Sequence, residues 1–456
     1  MCRLSSAAGQ FDHTADRFRT CKTNPGIRPN GGIIVSRSKL FSILMLAVLF
    51  FLSSCAQAAD KETSLFFFMK NTTGDNPNGY YPSNKLLMDA AGNLYGATTS
   101  GAVGGWGTIF ELSPNGSGAY SLTTIIDCSP TCSIPLGSLI MDGAGNLYGT
   151  AALGNVFELS PNGLGGFTGS VLYSFNGAIG SDLGNAPTPG LVVDSAGNLY
   201  GTNQDGGASN QGYVFELSPV SGGTWTLTHV HDFSGSDGAA PYATVIMDQA
   251  GNLYGTTNAG GTSTACTGGC GVVFKLTNNA GVWNESVLHS FNEKDGSNPQ
   301  ASLLMDASGN LYGTAGNGGE QNFGVVFELS PVSSGYHYRA LYSFVSGDSD
   351  GAFPNTSLVM DSSGNLYGTT WSGGGGDCNF QQDIGCGTAF ELARHGNNWK
   401  ESLLHDFTAG GDGGFPGGLI LGDGGNLFGT TEAGGAALST GGIAFKLTSP
   451  GAPQGK

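Results

Sequence analysis

Three neighbouring stretches decide the fold: PQASLLMDASGNLYGT (Pro299–Thr314), GVVFELSP (Gly324–Pro331) and YHYRALYSF (Tyr336–Phe344). They hold four short runs of aliphatic, aromatic and β-branched residues, and Gly, Pro, Asn and Ser turn residues separate the runs. Runs of this length with such punctuation read as β-strands joined by tight turns. Four in succession make one antiparallel meander.

The unit recurs along the chain. GNLYG begins at Gly92, Gly145, Gly197, Gly251, Gly309 and Gly364, and returns as GNLFG at Gly425, with spacings of 52 to 61 residues. A fixed period in this range marks a solenoid, a propeller or an array. An aspartate stands three residues before each of the first six glycines (Asp89, Asp142, Asp194, Asp248, Asp306, Asp361). Its carboxylate can accept backbone N–H groups in a tight hairpin, while the glycine supplies positive φ. In the seventh copy Gly422 takes the aligned position and Asp423 follows it. A proline lies seven residues before each of the six aspartates (Pro82, Pro135, Pro187, Pro241, Pro299, Pro354), with Pro416 as the seventh equivalent. It opens the innermost strand, where a missing N–H is tolerated.

The last unit stops after Ala444-Phe445-Lys446-Leu447 and lacks a fourth strand. Near the other end, Ser64-Leu65-Phe66-Phe67-Phe68 matches the missing piece, as comparison with Ser286-Val287-Leu288-His289-Ser290-Phe291 indicates. The expected fold is therefore all-β: a seven-bladed β-propeller of four-stranded antiparallel blades over 60–450, closed by the N-terminal strand, with a short tail at 451–456. Closure hides the sheet edges.

Composition agrees. The chain has 456 residues, 79 of them Gly and 18 Pro; 39% are hydrophobic and 11% charged. That excludes a coiled coil, a helical bundle and a charged disordered chain, and no Gly-X-Y period points to collagen. The one long apolar run, Leu40–Leu52, is too short to span a bilayer comfortably and follows Arg37 and Lys39, as in a signal peptide. Residues 1–59 are thus expected to be an N-terminal extension and signal. Two processing sites compete: a lipobox at 52–55, which would lipidate Cys55, and the A-x-A site Ala56-Gln57-Ala58. Removing 1–59 takes away seven basic and two acidic residues and leaves a net charge of −22. Such a surface repels phosphate backbones, so nucleic-acid partners are not expected and cations are favoured.

The run D-x-x-GNLYGTT-x-x-GG followed by VFELSP resembles the GloVer tandem repeat of bacterial surface and secreted proteins, the "choice-of-anchor" family. The resemblance covers nearly all of the chain after the signal. It implies a repeat body held at the cell surface by varied anchors, of uncharacterised biochemical activity, and supplies no catalytic residue. With Lys456 directly after the last repeat, Cys55 is the expected anchor.

Six cysteines after the signal fall into local pairs, Cys128/Cys132, Cys266/Cys270 and Cys378/Cys386. Close pairing behind an export signal predicts three disulfides. With strands lettered a to d from the centre outward, b–c and d–a connections share one face. All three pairs fall there. The same face varies most: from the last Gly of GNLYG to the next strand's Phe is 8 to 22 residues. Function commonly sits on variable loops over a rigid scaffold, so this is the expected binding face.

Candidate residues are few. Asp237, Asp295, Asp350 and Asp412 each precede a Gly in consecutive d–a loops, and Asp348 joins them in the D-x-D-G run Asp348–Gly351. They are read as an acidic rim near the inner strands that would take Ca²⁺ or a cationic ligand, or as D-G turns feeding strand a. Trp106 and Trp371, in b–c loops, are candidates for stacking on sugars. His231, His289 and His405 share one strand-d position with Tyr173 and Tyr342, which suggests packing. Repeated glutamates (Glu111, Glu158, Glu216, Glu328, Glu391) alternate with Lys275 and Lys446, as solvated or inter-blade ion-pair positions do. No P-loop, HExxH or Ser-His-Asp arrangement is present. D-x-x-G-N is similar to the Asp box of sialidases, but Arg339 and Arg394 cannot build a three-arginine clamp. The expected function is an exported surface binding or scaffold module, a monomer whose acidic, disulfide-stiffened loop face meets a protein or polysaccharide. The alternative is an extracellular hydrolase or lyase using carboxylates in the channel.

Overall fold

The computed structural model describes residues 62–70, 76–116, 118–129, 131–175, 190–378, 385–435 and 441–448. The signal segment with Cys55, the proline Pro187 and the 451–456 tail lie outside the described residues.

Burial grades outward along every meander. In blade five, strands a to d are Leu304–Met305, Leu311–Ala315, Val325–Val332 and Gly335–Ser343, paired in that order and antiparallel. Strand b is buried along its whole length, strand c on most of its inner half, and strand d alternates between half-buried and exposed. Six such sheets follow one another, beginning with strands Tyr80–Met88, Ile140–Met141, Val192–Val193, Ile246–Met247, Leu304–Met305 and Val359–Met360. The seventh is built from Ile420–Leu421, Asn426–Ala433, Ile443–Thr448 and the N-terminal strand Glu62–Phe67. Glu62 pairs with Leu447 and Phe67 with Ile443, so the N-terminal strand closes the ring as the sequence predicts. Among the described residues the one helical turn is Asp423–Gly425, and no helix is long and apolar enough to cross a membrane.

The repeat residues have separable jobs. In GNLYG the first glycine sits at positive φ in the a–b hairpin (Gly309, φ 80°), whereas the second is in extended strand b. A Cβ on that second glycine would lie 2.5 to 2.6 Å from Cζ of the strand-c phenylalanine in all seven blades, as for Gly313 under Phe327. The glycine is there to let the ring lie across the strand. The aspartate is consumed by its own turn: Asp306 Oδ1 accepts the N–H groups of Ser308 and Asn310, and Oδ2 accepts Asn310 Nδ2 and the Tyr312 hydroxyl. In three blades the strand-c glutamate shares that single hydroxyl proton with the aspartate, Glu158 with Tyr148 at 3.1 Å, Glu391 with Tyr367 at 3.1 Å and Glu328 with Tyr312 at 3.3 Å. They are within-blade acceptors instead of ion pairs. Where lysine replaces them, it covers the ring, Lys275 Nζ lying 5.2 Å from the Tyr254 centroid.

Every c–d ladder slips by one residue at the same place. In blade five Val326 faces Tyr342 and Phe327 faces Ala340, which leaves Leu341 as a bulge. The bulged residue is aliphatic in all seven blades, from Ile125 to Leu65. A bulge re-aims the side chains beyond it, and here an apolar side chain turns into the seam between blades. The core lies in those seams. One cluster joins Tyr254, Val273 and Phe291 of blade four to Leu303, Phe327 and Leu329 of blade five.

Candidate functional site in the central channel

A second repeated device shapes the loop-rich face. The residue before each described blade proline has positive φ: Tyr81, Ile134, Ala240, Asn298, Phe353 and Phe415, all between 51° and 58°. Both the Cβ and the following proline disfavour that conformation. Each of these residues donates its N–H to a carbonyl in the b–c loop of the preceding blade, as Asn298 does to Cys270 at 3.0 Å and Phe353 to Phe323 at 2.8 Å. In five blades the proline ring itself rests on the glycine just before strand c of that preceding blade; a Cβ on Gly324 would be 2.4 Å from Pro354 Cδ. At the six described junctions the d–a and b–c loops are thus tied into a collar at the channel mouth.

The three disulfides stand in this collar. Cys128–Cys132, Cys266–Cys270 and Cys378–Cys386 are all formed, with Cα separations of 4.5, 5.1 and 5.2 Å. Cys270 and Cys386 lend their own carbonyls to the next blade.

The aspartates of the proposed rim are placed differently from expectation. Their carboxylates bond to the outermost strand, while the glycines that follow Asp237, Asp350 and Asp412 sit against the strand-b residues Thr257, Thr370 and Thr431. Asp237 Oδ2 lies 3.1 Å from His231 Nε2 while Oδ1 accepts the Ser234 N–H and hydroxyl. Asp295 and Asp412 repeat the arrangement with His289 and His405, both at 3.2 Å. Asp350 accepts the Tyr342 hydroxyl at 3.1 Å and two backbone N–H groups, and is 4% exposed, while its neighbour Asp348 faces solvent. Asp348 apart, each carboxylate is therefore tied to its own loop and to the strand d that precedes it. Among the described residues no three His, Cys, Asp or Glu side chains come together as a metal site. The His–Asp pairing escaped the sequence reading because the partners flank a loop, although the six-residue step from His231 to Asp237 and from His289 to Asp295 was visible. Burial, aided by Asp237, lifts Glu285 to about 7, and burial, aided by Asp350, lifts Glu401 to about 7. These two occupy the same strand-d position in blades four and six.

The candidate site is the channel. An open chamber of about 410 Å³ lies at its collar end, with a second of about 500 Å³ beneath it. A ring shared by both separates them: the residues just before the buried strand-a aliphatics. Ser138, Thr244, Ser302 and Ser357 supply hydroxyls and Gly190 leaves a gap in both walls, while Gly418, at the same position of blade seven, lines the upper chamber alone. Blade one puts Lys85 there. Its stem lies beside Gly418, where a Cβ would be 3.3 Å from Lys85 Cβ. Burial lowers the pKa of its ammonium. Below the ring the wall is apolar, with Leu87, Ile140, Ile246, Leu304, Val359 and Ile420. Above it, Tyr242, Gln300, Asn355 and Trp371 line the mouth. Trp371 is 39% exposed and packs on Phe415 with ring centroids 5.0 Å apart. Trp106, the other aromatic candidate, stands in the blade-one collar and lines neither chamber. Glu432 is the one carboxylate on the described chamber walls, so no carboxylate pair is presented there.

Seven repeats, each completing its core only against a neighbour, define a repeat β-propeller. The chain belongs to the Gloeobacter/Verrucomicrobia repeat family, whose model matches residues 151–381. No curated protein matches it. Similar solved structures include an assigned 6-phosphogluconolactonase from Bacteroides uniformis, at 14% identity over 75% of this chain and 88% of that one, TM-score 0.49. A second is a gluconolactonase from Xanthomonas campestris, at 13% identity over 67% and 83%, TM-score 0.38. A third is the calcium structure of a Carbohydrate-Active Enzymes family AA12 protein from Trichoderma reesei, at 11% identity over 86% and 96%, TM-score 0.43. No residue role is carried over from them.

Proposed function

We propose that this chain is an exported surface binding module that takes a saccharide at the collar end of its channel. The observation that carries this reading is the half-exposed Trp371 ring on the wall of a chamber whose lining also includes the amides of Gln300 and Asn355 and a row of hydroxyls. An aromatic face offers the apolar C–H side of a sugar a platform, while Gln300, Asn355 and the hydroxyl ring match its O–H groups. A concave site with few placed polar groups suits a small ligand or a chain end better than a flat protein surface. A protein partner resting on the collar loops is the competing occupant. Export fits three disulfides, which persist in oxidising compartments. Cys55 lipidation and cleavage after Ala58 are its two processing outcomes, and the mass of the mature N-terminus separates them. The hydrolase reading lacks its paired carboxylates on the described walls.

The test is a glycan array with the native chain, followed by calorimetry on each hit. Binding that falls tenfold or more in Trp371→Ala, with the melting temperature kept, supports the proposal. Binding of a surface protein with no saccharide hit overturns it.

A further inference from the structure

The ring at the channel waist breaks its own symmetry once. Six blades place a hydroxyl or a glycine before the strand-a aliphatic, and blade one places Lys85. Nothing in the repeat demands a lysine there, since Ser138, Ser302 and Ser357 fill the same position in the same fold. The ammonium is partly removed from water, which is costly for a charge without a partner. Among the described residues no carboxylate forms an ion pair with it. It is the one cation on the walls of either chamber, in a chain that is otherwise strongly acidic. A cation without an ion-pair partner, on a wall it shares with the Ser138, Thr244, Ser302 and Ser357 hydroxyls and with Glu432 as the upper chamber's one carboxylate, is half of a charge-assisted hydrogen-bond set, and the missing half is an anion.

We propose that Lys85 is an anion receptor that selects a carboxylate-bearing saccharide, with the acid group on its ammonium and the hydroxyl ring and the sugar ring above it toward Trp371. This deepens the saccharide reading and rests on it. The apolar wall beneath the ring gives the carboxylate no other polar partner, so the acid is held at the waist. The chamber above is within the size range of small-ligand pockets.

The experiment is calorimetry of the full-length chain with four probes: galacturonic acid, glucuronic acid, galactose and glucose. The variants are Lys85→Ser, which restores the residue of the sibling blades and keeps the fold, and Lys85→Arg. The expected result is that at least one acid binds tenfold or more tightly than its neutral counterpart. That preference falls as salt rises, disappears in Lys85→Ser and persists in Lys85→Arg. The inference is overturned if no acid is preferred, or if Lys85→Ser leaves the preference intact. Neutral sugars that bind equally well and are lost in Trp371→Ala would sink the Lys85 assignment alone. Failure of all four probes, together with an empty glycan array, would sink the saccharide reading with it.

Discussion

The backbone N–H of Phe415 donates to the carbonyl of Cys386 at 2.7 Å, so a disulfide in blade six holds a wall residue of the mouth that blade seven supplies. Phe415 in turn carries the Trp371 ring. Removing the bond by Cys378→Ser/Cys386→Ser lowers unfolding stability by about 2 to 3 kcal/mol, the chain-entropy value for so short a loop. Ligand affinity falls in the same variant, whereas Cys128→Ser/Cys132→Ser, far round the collar, changes stability alone. Urea melts paired with calorimetry measure both.

The two glycines of one GNLYG motif respond differently to alanine. Gly309→Ala meets almost open space and costs about 1 kcal/mol through its positive φ. Gly313→Ala drives a methyl into Phe327 and Leu303 and costs about 1 to 3 kcal/mol as overpacking. Adding Phe327→Leu recovers part of the second loss and none of the first, which a double-mutant cycle in urea reads directly.

Stability is expected to decline between mildly acidic and neutral pH. Glu285 and Glu401 are raised from 4.5 to about 7, first by burial and then by Asp237 and Asp350. Glu285 Oε1 is buried without a hydrogen-bond partner. The native state therefore holds protons that the unfolded chain has released. This contribution is full below about pH 4.5 and is lost as pH rises through 7. The turn aspartates act oppositely. Burial tends to raise Asp89 and Asp248, but hydrogen bonds led by the Asn93 and Asn252 side chains outweigh it and lower both, so their support is lost only in stronger acid. The melting temperature is expected to fall from pH 5 to pH 8, and Glu285→Gln/Glu401→Gln to flatten that slope. An unchanged slope in the double variant would remove these glutamates as its cause.

Millimolar Ca²⁺ leaves the melting temperature where EDTA leaves it. The oxygens of Asp237 and Asp412 are already committed to histidine, hydroxyl and backbone partners. A rise of several degrees that vanishes in Asp237→Ala/Asp412→Ala would return them to metal binding.

The ring was legible because its grammar is local: turn aspartate, hairpin glycine, buried Leu-Tyr and the phenylalanine over the second glycine all repeat within a few residues. Three disulfides followed from spacing for the same reason. The site was harder to see, because a channel wall takes one residue from each blade and those residues lie about fifty positions apart. Lys85 looks like any turn-flanking lysine until it is aligned with Ser138, Thr244, Ser302 and Ser357. The aspartates were visible, but the bulged end of strand d brings His231 and Tyr342 to them, and no pattern of period two reveals that direction. Trp371 and Trp106 were indistinguishable as letters; only the collar places one of them over the chamber.

The clasp between Glu62–Phe67 and Ile443–Thr448 sets the order of events in assembly. Of the described strands the first to be synthesised is the last to find its partner, and six blades can form while the edge of the seventh waits. Until then both ends offer unpaired backbone to any passing strand. Which sheet the N-terminal strand joins thus decides how long those edges stay open to aggregation.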